Sequence, residues 1–293
     1  MCSSDLAWIV PAAIDSHVHL AYLPAESEML DGGVAGVVDL AAPKSWLAED
    51  HQGLRVLAAG PMITADGGYP TQGWGRNGYG QEVSDATEAQ AAVRALHEAG
   101  AGVVKVPIDS GPSLDDTTLA AVVKTAHAAG EKVAAHALGD ADAARAATAG
   151  IDVLAHTPVS ALAASTLSAW SGKAVISTLA AFGGGSTTLA NLRALRDAGA
   201  TVLYGTDFGN TRTAGLDPEE LVLLSEAGLT PAEILAATTS APAAYWGFDD
   251  LGSITPGKSA SLLVLDRDPL VVPLTLAHPR QVWIDGHCRT GCR

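Results

Sequence analysis

Two histidines, His17 and His19, stand two residues apart in the apolar run Ile14-Asp15-Ser16-His17-Val18-His19-Leu20. Side chains on a strand alternate between faces, so both imidazoles point the same way and make half of a chelating site for a borderline metal such as zinc. The plainer alternative is one partly buried histidine beside an exposed one. Four further residues weigh on the choice. Val103-Val104-Lys105-Val106-Pro107 embeds a lysine among apolar neighbours. Burial and nearby cations would strip its proton, and a neutral amine can take up carbon dioxide to become an anionic carbamate able to bridge two metals. The alternative there is a lysine that reaches the rim. Three more apolar runs end in His136, in His156-Thr157 and in Thr206-Asp207. His97 and His127, by contrast, each stand just before a glycine at a helix end, where a partly positive ring suits the helix dipole, and read as structural. His51, His278 and His287 receive no role.

These side chains need a scaffold that brings strand ends together. Short β-branched runs recur at 34–40, 54–60, 102–107, 132–137, 151–157, 173–178 and 201–205, and with the opening run they make eight. Between them lie alanine-rich stretches with apolar residues three and four apart, several stopping at glycine: Gly100, Gly130, Gly150 and Gly199. The expected fold is α/β, a (β/α)8 barrel over residues 11–248, whose active sites gather at the C-terminal ends of the strands. A doubly wound sheet is the competitor, but the glycine-rich phosphate loop it usually carries after an early strand is not evident. A long loop at 61–85, containing Tyr69, Trp74, Arg76 and Tyr79, is expected to lie over the barrel mouth as a lid and substrate wall. After residue 248 the chain changes character, and the runs at 261–266 and 281–285 predict a small, reduced β appendage from residues 1–10 and 249–293.

The bounds are consistent with this reading. The chain has 293 residues, 5% aromatics and a formal charge of -15, with a mean hydropathy of +0.21. Its acidity argues against nucleic acid as a partner, since a phosphate backbone needs a basic surface. Cys2, Cys288 and Cys292 lie at the ends of the chain, far from the histidine-rich strands, so a zinc-thiolate site is not expected and only a local Cys288 to Cys292 bridge is open. No apolar run reaches the roughly 20 residues of a membrane span. Cytoplasm is the expected location, with an exported or lipid-anchored protein at Met1-Cys2-Ser3-Ser4 as the alternative.

Taken together, the motifs resemble the amidohydrolase superfamily, in the branch of imidazolonepropionase-like and prolidase-like metallo-hydrolases. The likeness runs from about Pro11 to Gly286. It is carried by His17-Val18-His19, Lys105, Ala135-His136-Ala137 with Gly139-Asp140, Ala155-His156-Thr157, Gly205-Thr206-Asp207 and Gly252-Ser253-Ile254-Thr255-Pro256-Gly257-Lys258. The resemblance implies two divalent metal ions, zinc first among the choices. His17 and His19 would bind the more buried ion with Asp207, a carboxylated Lys105 would bridge, and His136 and His156 would hold the second. A hydroxide shared by two metals is nucleophilic at neutral pH, and Asp207 would pass its proton to the leaving group. The implied activity is hydrolysis of an amide bond, in a peptide or cyclic amide of small-molecule size. Tyr69, Arg76, Tyr79 and Arg212, on loops after the third and eighth strands, are candidates for recognising a carboxylate or other polar end of the substrate.

Two departures from the family pattern matter. Its deaminases and imidazolonepropionases place a glutamate three residues after the strand-five histidine, where this chain has Gly139; Asp140 reads as the N-cap of the next helix. That favours a two-metal hydrolase over a one-metal deaminase. Only about a dozen residues precede the first strand, so half of the usual β-sandwich is expected to be missing: either the appendage is reduced or the sequence is truncated, and then the two C-terminal strands would expose an edge that invites homo-oligomer formation. An esterase or lactonase using the same metals, and a barrel that binds a ligand without turnover, remain as the other readings.

Overall fold

A computed structural model of the chain describes residues 7–292; Cys2, and with it the lipid-anchored alternative, lies outside the described residues. The chain opens with β1 (Trp8–Pro11), β2 (Ala13–Val18), α1 (Glu26–Asp31), β3 (Val34–Asp39) and β4 (Arg55–Ala58). An excursion through β5 (Met62–Ala65) and β6 (Gly80–Val83) leads to α2 (Ala86–Glu98). Then β7 (Val103–Pro107), α3 (Asp116–Ala128), β8 (Lys132–His136), α4 (Asp140–Thr148), β9 (Val153–Leu154), α5 (Ala164–Ala169), β10 (Ala174–Ile176), α6 (Ser186–Asp197) and β11 (Thr201–Leu203) alternate regularly. Three short helices follow, α7 (Pro218–Glu226), α8 (Pro231–Thr238) and α9 (Ser240–Trp246), and the chain ends in β12 (Leu262–Leu265), β13 (Gln281–Ile284) and β14 (His287–Thr290).

The eight predicted strands, β2 to β4 and β7 to β11, run parallel and close into a barrel. Gly102 N–H donates to Ala58 O at 3.0 Å on one side, and Ser16 N–H to Tyr204 O and Asp207 N–H to His17 O, both at 2.9 Å, on the other. Two-residue alternation sorts each strand. Val104 and Val106 pack outward in the core beneath the helices, while Val103, Ala134, Val153, Ala174 and Leu203 fill the barrel axis. That alternation also aims Lys105 into the barrel, one level above Val103. Trp246 packs into the same inner cluster and donates its indole N–H to Ser16 Oγ at 3.1 Å. The helices stop ahead of the four predicted glycines.

Two expectations change. The loop at 61–85 is not irregular throughout: β5 and β6 pair in parallel, Met62 opposite Gly80, with a turn at Trp74–Asn77 between them. The glycines around it mask two four-residue strands too short to show a period. The appendage is also better closed than two C-terminal strands would be. Its antiparallel sheet has the order β1-β12-β13-β14, so β1 covers the edge of β12 with Trp8 opposite Leu265, and β14 covers β13. Cys288 and Cys292 are joined in a disulfide at its end. Arg55 on β4 ties barrel to appendage, with Nη2 2.8 Å from Asp250 and Nη1 2.5 Å from Asp285. Among the described residues no helix is long and apolar enough to cross a membrane.

Candidate metal centre at the barrel mouth

His17 at the end of β2 is fully buried, and its Nδ1 donates to Ala155 O at 2.8 Å. That bond fixes the tautomer: the lone pair is left on Nε2, which has no hydrogen-bond partner. Nε2 of His17 and of His19 lie 3.5 and 3.1 Å from Asp207 Oδ1. Asp207 reaches them because the segment after β11 bends back across β2. Gly205 and Gly209 permit the approach; a Cβ at Gly205 would meet Ile176 Cγ2 at 2.4 Å, and one at Gly209 would meet His19 Cβ at 2.8 Å. Asp207 itself sits at φ 56°, a left-handed conformation unusual outside glycine and held here by its neighbours.

Two buried carboxylates stitch this corner together. Asp15 accepts from His17 N–H at 3.0 Å and from Thr206 Oγ1 at 2.6 Å, joining β2 to the segment that carries Asp207. Asp39 accepts from Leu20 N–H at 2.7 Å and Ala41 N–H at 3.0 Å, fixing the turn after His19. Burial pushes the two carboxyls up to about 7 and about 6.

Lys105 faces the same space. Its Nζ is buried without a partner, and burial pulls its pKa down to about 7 against the opposing pull of Asp207 and Asp39. His136, at the end of β8, is lowered to about 4 by burial and then by Lys105. His156, just past β9, is held well below the usual histidine range by burial and by the surrounding histidines and Lys105. Its ring lies 4.6 Å from that of His17 and 4.9 Å from that of His136, and its Nδ1 is 3.1 Å from Thr178 Oγ1. Burial would raise the Asp207 carboxyl, but His17 and His19 outweigh it and hold it at about 2. The mouth therefore pairs an ionised carboxylate with three imidazoles, those of His17, His136 and His156, that favour their neutral, lone-pair form.

The six residues His17, His19, Lys105, His136, His156 and Asp207 line one cavity of about 250 Å³. The ligand atoms of His17, His19 and Asp207 all lie within 4.8 Å of one another, a cluster with the geometry to hold a metal ion. Buried polar atoms without partners are rare in proteins, and of the six found among the described residues three, His17 Nε2, His19 Nδ1 and Lys105 Nζ, belong to residues lining this one void. Imidazole and carboxylate donors suit zinc and similar ions.

Of the four residues expected to meet the substrate, only Tyr69 lines the cavity. Tyr79 is buried behind it and donates its hydroxyl to Ala21 O at 2.9 Å. Arg76 is exposed and donates to Gln72 O at 2.9 Å, and Arg212 is exposed as well. The reading of Asp140 as an N-cap is corrected: Gly139 holds that position, and the Asp140 carboxylate accepts from Ala163 N–H at 2.9 Å. Trp74, part of the loop expected to wall the substrate, lines the cavity; Phe182 and Asn210, which line it too, and Thr178, which touches His156, carried no predicted role. Asn210, three residues after Asp207, donates to its Oδ1 at 3.1 Å. The glycine-flanked aromatic of Phe182-Gly183-Gly184-Gly185, after a barrel strand, was the available signal for Phe182.

The profile of the Amidohydrolase family matches residues 8–289. The chain belongs to the amidohydrolase family. An uncharacterised protein of Mycobacterium tuberculosis is 29% identical over 96% of this chain and 85% of its own length. Among solved structures, a Xaa-Pro dipeptidase with bound methionine in its active site superposes with a TM-score of 0.82 at 21% identity, covering 98% of this chain and 90% of that one. A prolidase complexed with N-methylphosphonate-L-proline gives 0.80 at 21% identity, over 96% and 86%. The family model makes the chain a hydrolase of the amidohydrolase family, and the two solved structures, at 21% identity, share its fold.

Proposed function

We propose that the protein hydrolyses the carbon–nitrogen bond of a small amide, peptide or cyclic amide, with two divalent ions, zinc first among them, held at the barrel mouth. His17, His19 and Asp207 would hold one ion and His136 and His156 the other, with Lys105 between them. The observation that carries the reading is Lys105: a buried amine with no partner, aimed at four histidines and a carboxylate. With its pKa near 7, a fraction of the amine is neutral at physiological pH. Its lone pair can then form an N–C bond to carbon dioxide, releasing one proton and leaving a carbamate whose charge suits a site rich in neutral imidazoles.

Bound divalent ions would supply an activated water and a Lewis acid for the scissile carbonyl. The chain's own groups do the rest. Asp207, ionised and held by Asn210, takes a proton from the attacking water and delivers it to the departing nitrogen. His17 is kept in its ligating tautomer by Ala155 O, and His156 is oriented by Thr178.

The test is a panel of dipeptides, cyclic amides and lactones offered to protein loaded with zinc and bicarbonate, with Asp207→Asn as control. Turnover of amides that is lost in the variant supports the proposal. Turnover of lactones alone would favour the ester-cleaving reading, and no turnover of any class would favour a ligand-binding barrel.

A further inference from the structure

The walls of the cavity above the histidines say what kind of molecule can reach them. Three aromatic rings stand guard, each against a different histidine. Tyr69 stacks on His136 with ring centres 5.0 Å apart, Trp74 lies 5.2 Å from His19, and Phe182 lies 4.9 Å from His156. Two of the rings are locked together, since Trp74 Nε1 donates to Tyr69 Oη at 2.9 Å. Met62 and Ala181 fill the gaps between them.

Charge is distributed just as selectively. Lys105 is the only cation of the lining besides the histidines, and it lies at the floor. The guanidinium groups nearest in sequence, Arg76 and Arg212, are exposed and outside the lining. The Asp109 carboxylate, by contrast, lies near enough to Tyr69 and His136 to perturb both. A free carboxylate on a substrate would enter past flat apolar faces and an acidic neighbour, with no arginine to receive it, so its desolvation would go uncompensated. A volume of about 250 Å³ falls below the roughly 300–1,000 Å³ usual for drug-sized ligands, which limits the occupant to about one ring and its amide.

We infer that this site takes small, uncharged amides bearing a flat apolar or aromatic group, which packs among Tyr69, Trp74 and Phe182, and disfavours amides with a free carboxylate beside the scissile bond. The inference rests on the hydrolase reading above and narrows it toward cyclic and aryl amides and away from free dipeptides.

The test compares benzoylglycinamide with benzoylglycine, which differ only in whether the far end is neutral or anionic. Binding is followed by tryptophan fluorescence and calorimetry on chelator-treated protein, where no bound ion attracts the carboxylate. The neutral probe should bind at least about tenfold tighter. Trp74→Ala and Phe182→Ala should each weaken it about three- to tenfold, with Trp74→Phe retaining most of the affinity. Ala181→Arg, which adds a guanidinium to the rim, should shift preference toward the anionic probe. Equal or tighter binding of benzoylglycine by the wild type, no effect of Trp74→Ala, or no binding of either probe would each overturn the inference. Hydrolysis is scored separately on zinc-loaded protein. A neutral-probe preference without turnover of any amide would sink the hydrolase reading and leave the binding preference standing. Faster turnover of benzoylglycine would do the reverse.

Discussion

The histidines of the barrel mouth and those of its helical shell make opposite use of the same side chain. In the shell, His97 Nδ1 pairs with Glu131 at 2.8 Å and His127 Nε2 with Asp152 at 2.9 Å, and both rings are about half exposed. At the mouth, His17 and His19 are buried, and each leaves a ring nitrogen without a hydrogen-bond partner. A partnered, solvated imidazole is a finished structural contact. A buried imidazole with a free lone pair raises free energy until something accepts that pair, so its persistence points to a ligand. The contrast teaches that burial alone does not mark a site; what sets the mouth apart is that three residues with unpartnered buried atoms line one cavity.

The sharpest way to break the comparison is at Asp207. Asp207→Asn keeps the shape and the contact to Asn210 but removes the proton acceptor, and kcat on a hydrolysed amide should fall by about 10³-fold. A loss under tenfold would remove Asp207 from proton transfer. Lys105 comes next. Folded, it sheds its proton near pH 7, and its ordinary value is 10.5. Between those values the unfolded chain binds more protons, so the stability of metal-free protein should climb with pH at up to about 1.4 kcal/mol per pH unit. Lys105→Met should abolish that contribution and stabilise the metal-free protein at pH 7, as denaturant melts at several pH values will show. An unchanged slope would mean that Lys105 is solvated.

Thr178 tests the support beneath a ligand. It is a β-branched residue at φ 41° that holds the His156 ring through its hydroxyl. Thr178→Val should weaken zinc binding by about 10- to 100-fold, read by competition with a chelator, while Thr178→Ser should retain most of it. At the small end, His127→Gln should cost at most about 1 kcal/mol in denaturant melts and leave zinc binding unchanged, because the ring is about half exposed and Asp152 keeps its bond from Val133 N–H at 2.8 Å. A metal loss there would erase the distinction between mouth and shell.

The sequence was most legible where one residue type ends a strand. His136, His156 and Asp207 each close an apolar run, His17 and His19 share one face of another, and the barrel rule gathers such ends at one face. Lys105 was legible through its apolar neighbours. Illegible were the contacts that depend on which loops meet. Nothing local distinguishes Arg76, which turns outward to Gln72 O, from a residue that turns inward, and nothing near Thr178 announces that its hydroxyl will face His156. Asp140 misled because an aspartate after glycine at a helix start suits either the cap or the first turn, and the choice was made by Ala163 from the loop after β9. The strands β5 and β6 were hidden because four residues carry too little alternation to stand out beside glycines.

The most direct test of the account is elemental analysis of protein incubated with zinc and bicarbonate, in parallel with Lys105→Ala. About two zinc ions per chain are expected, falling to one or fewer in the variant. No bound metal in the wild type, or an occupancy that Lys105→Ala leaves unchanged, would contradict it.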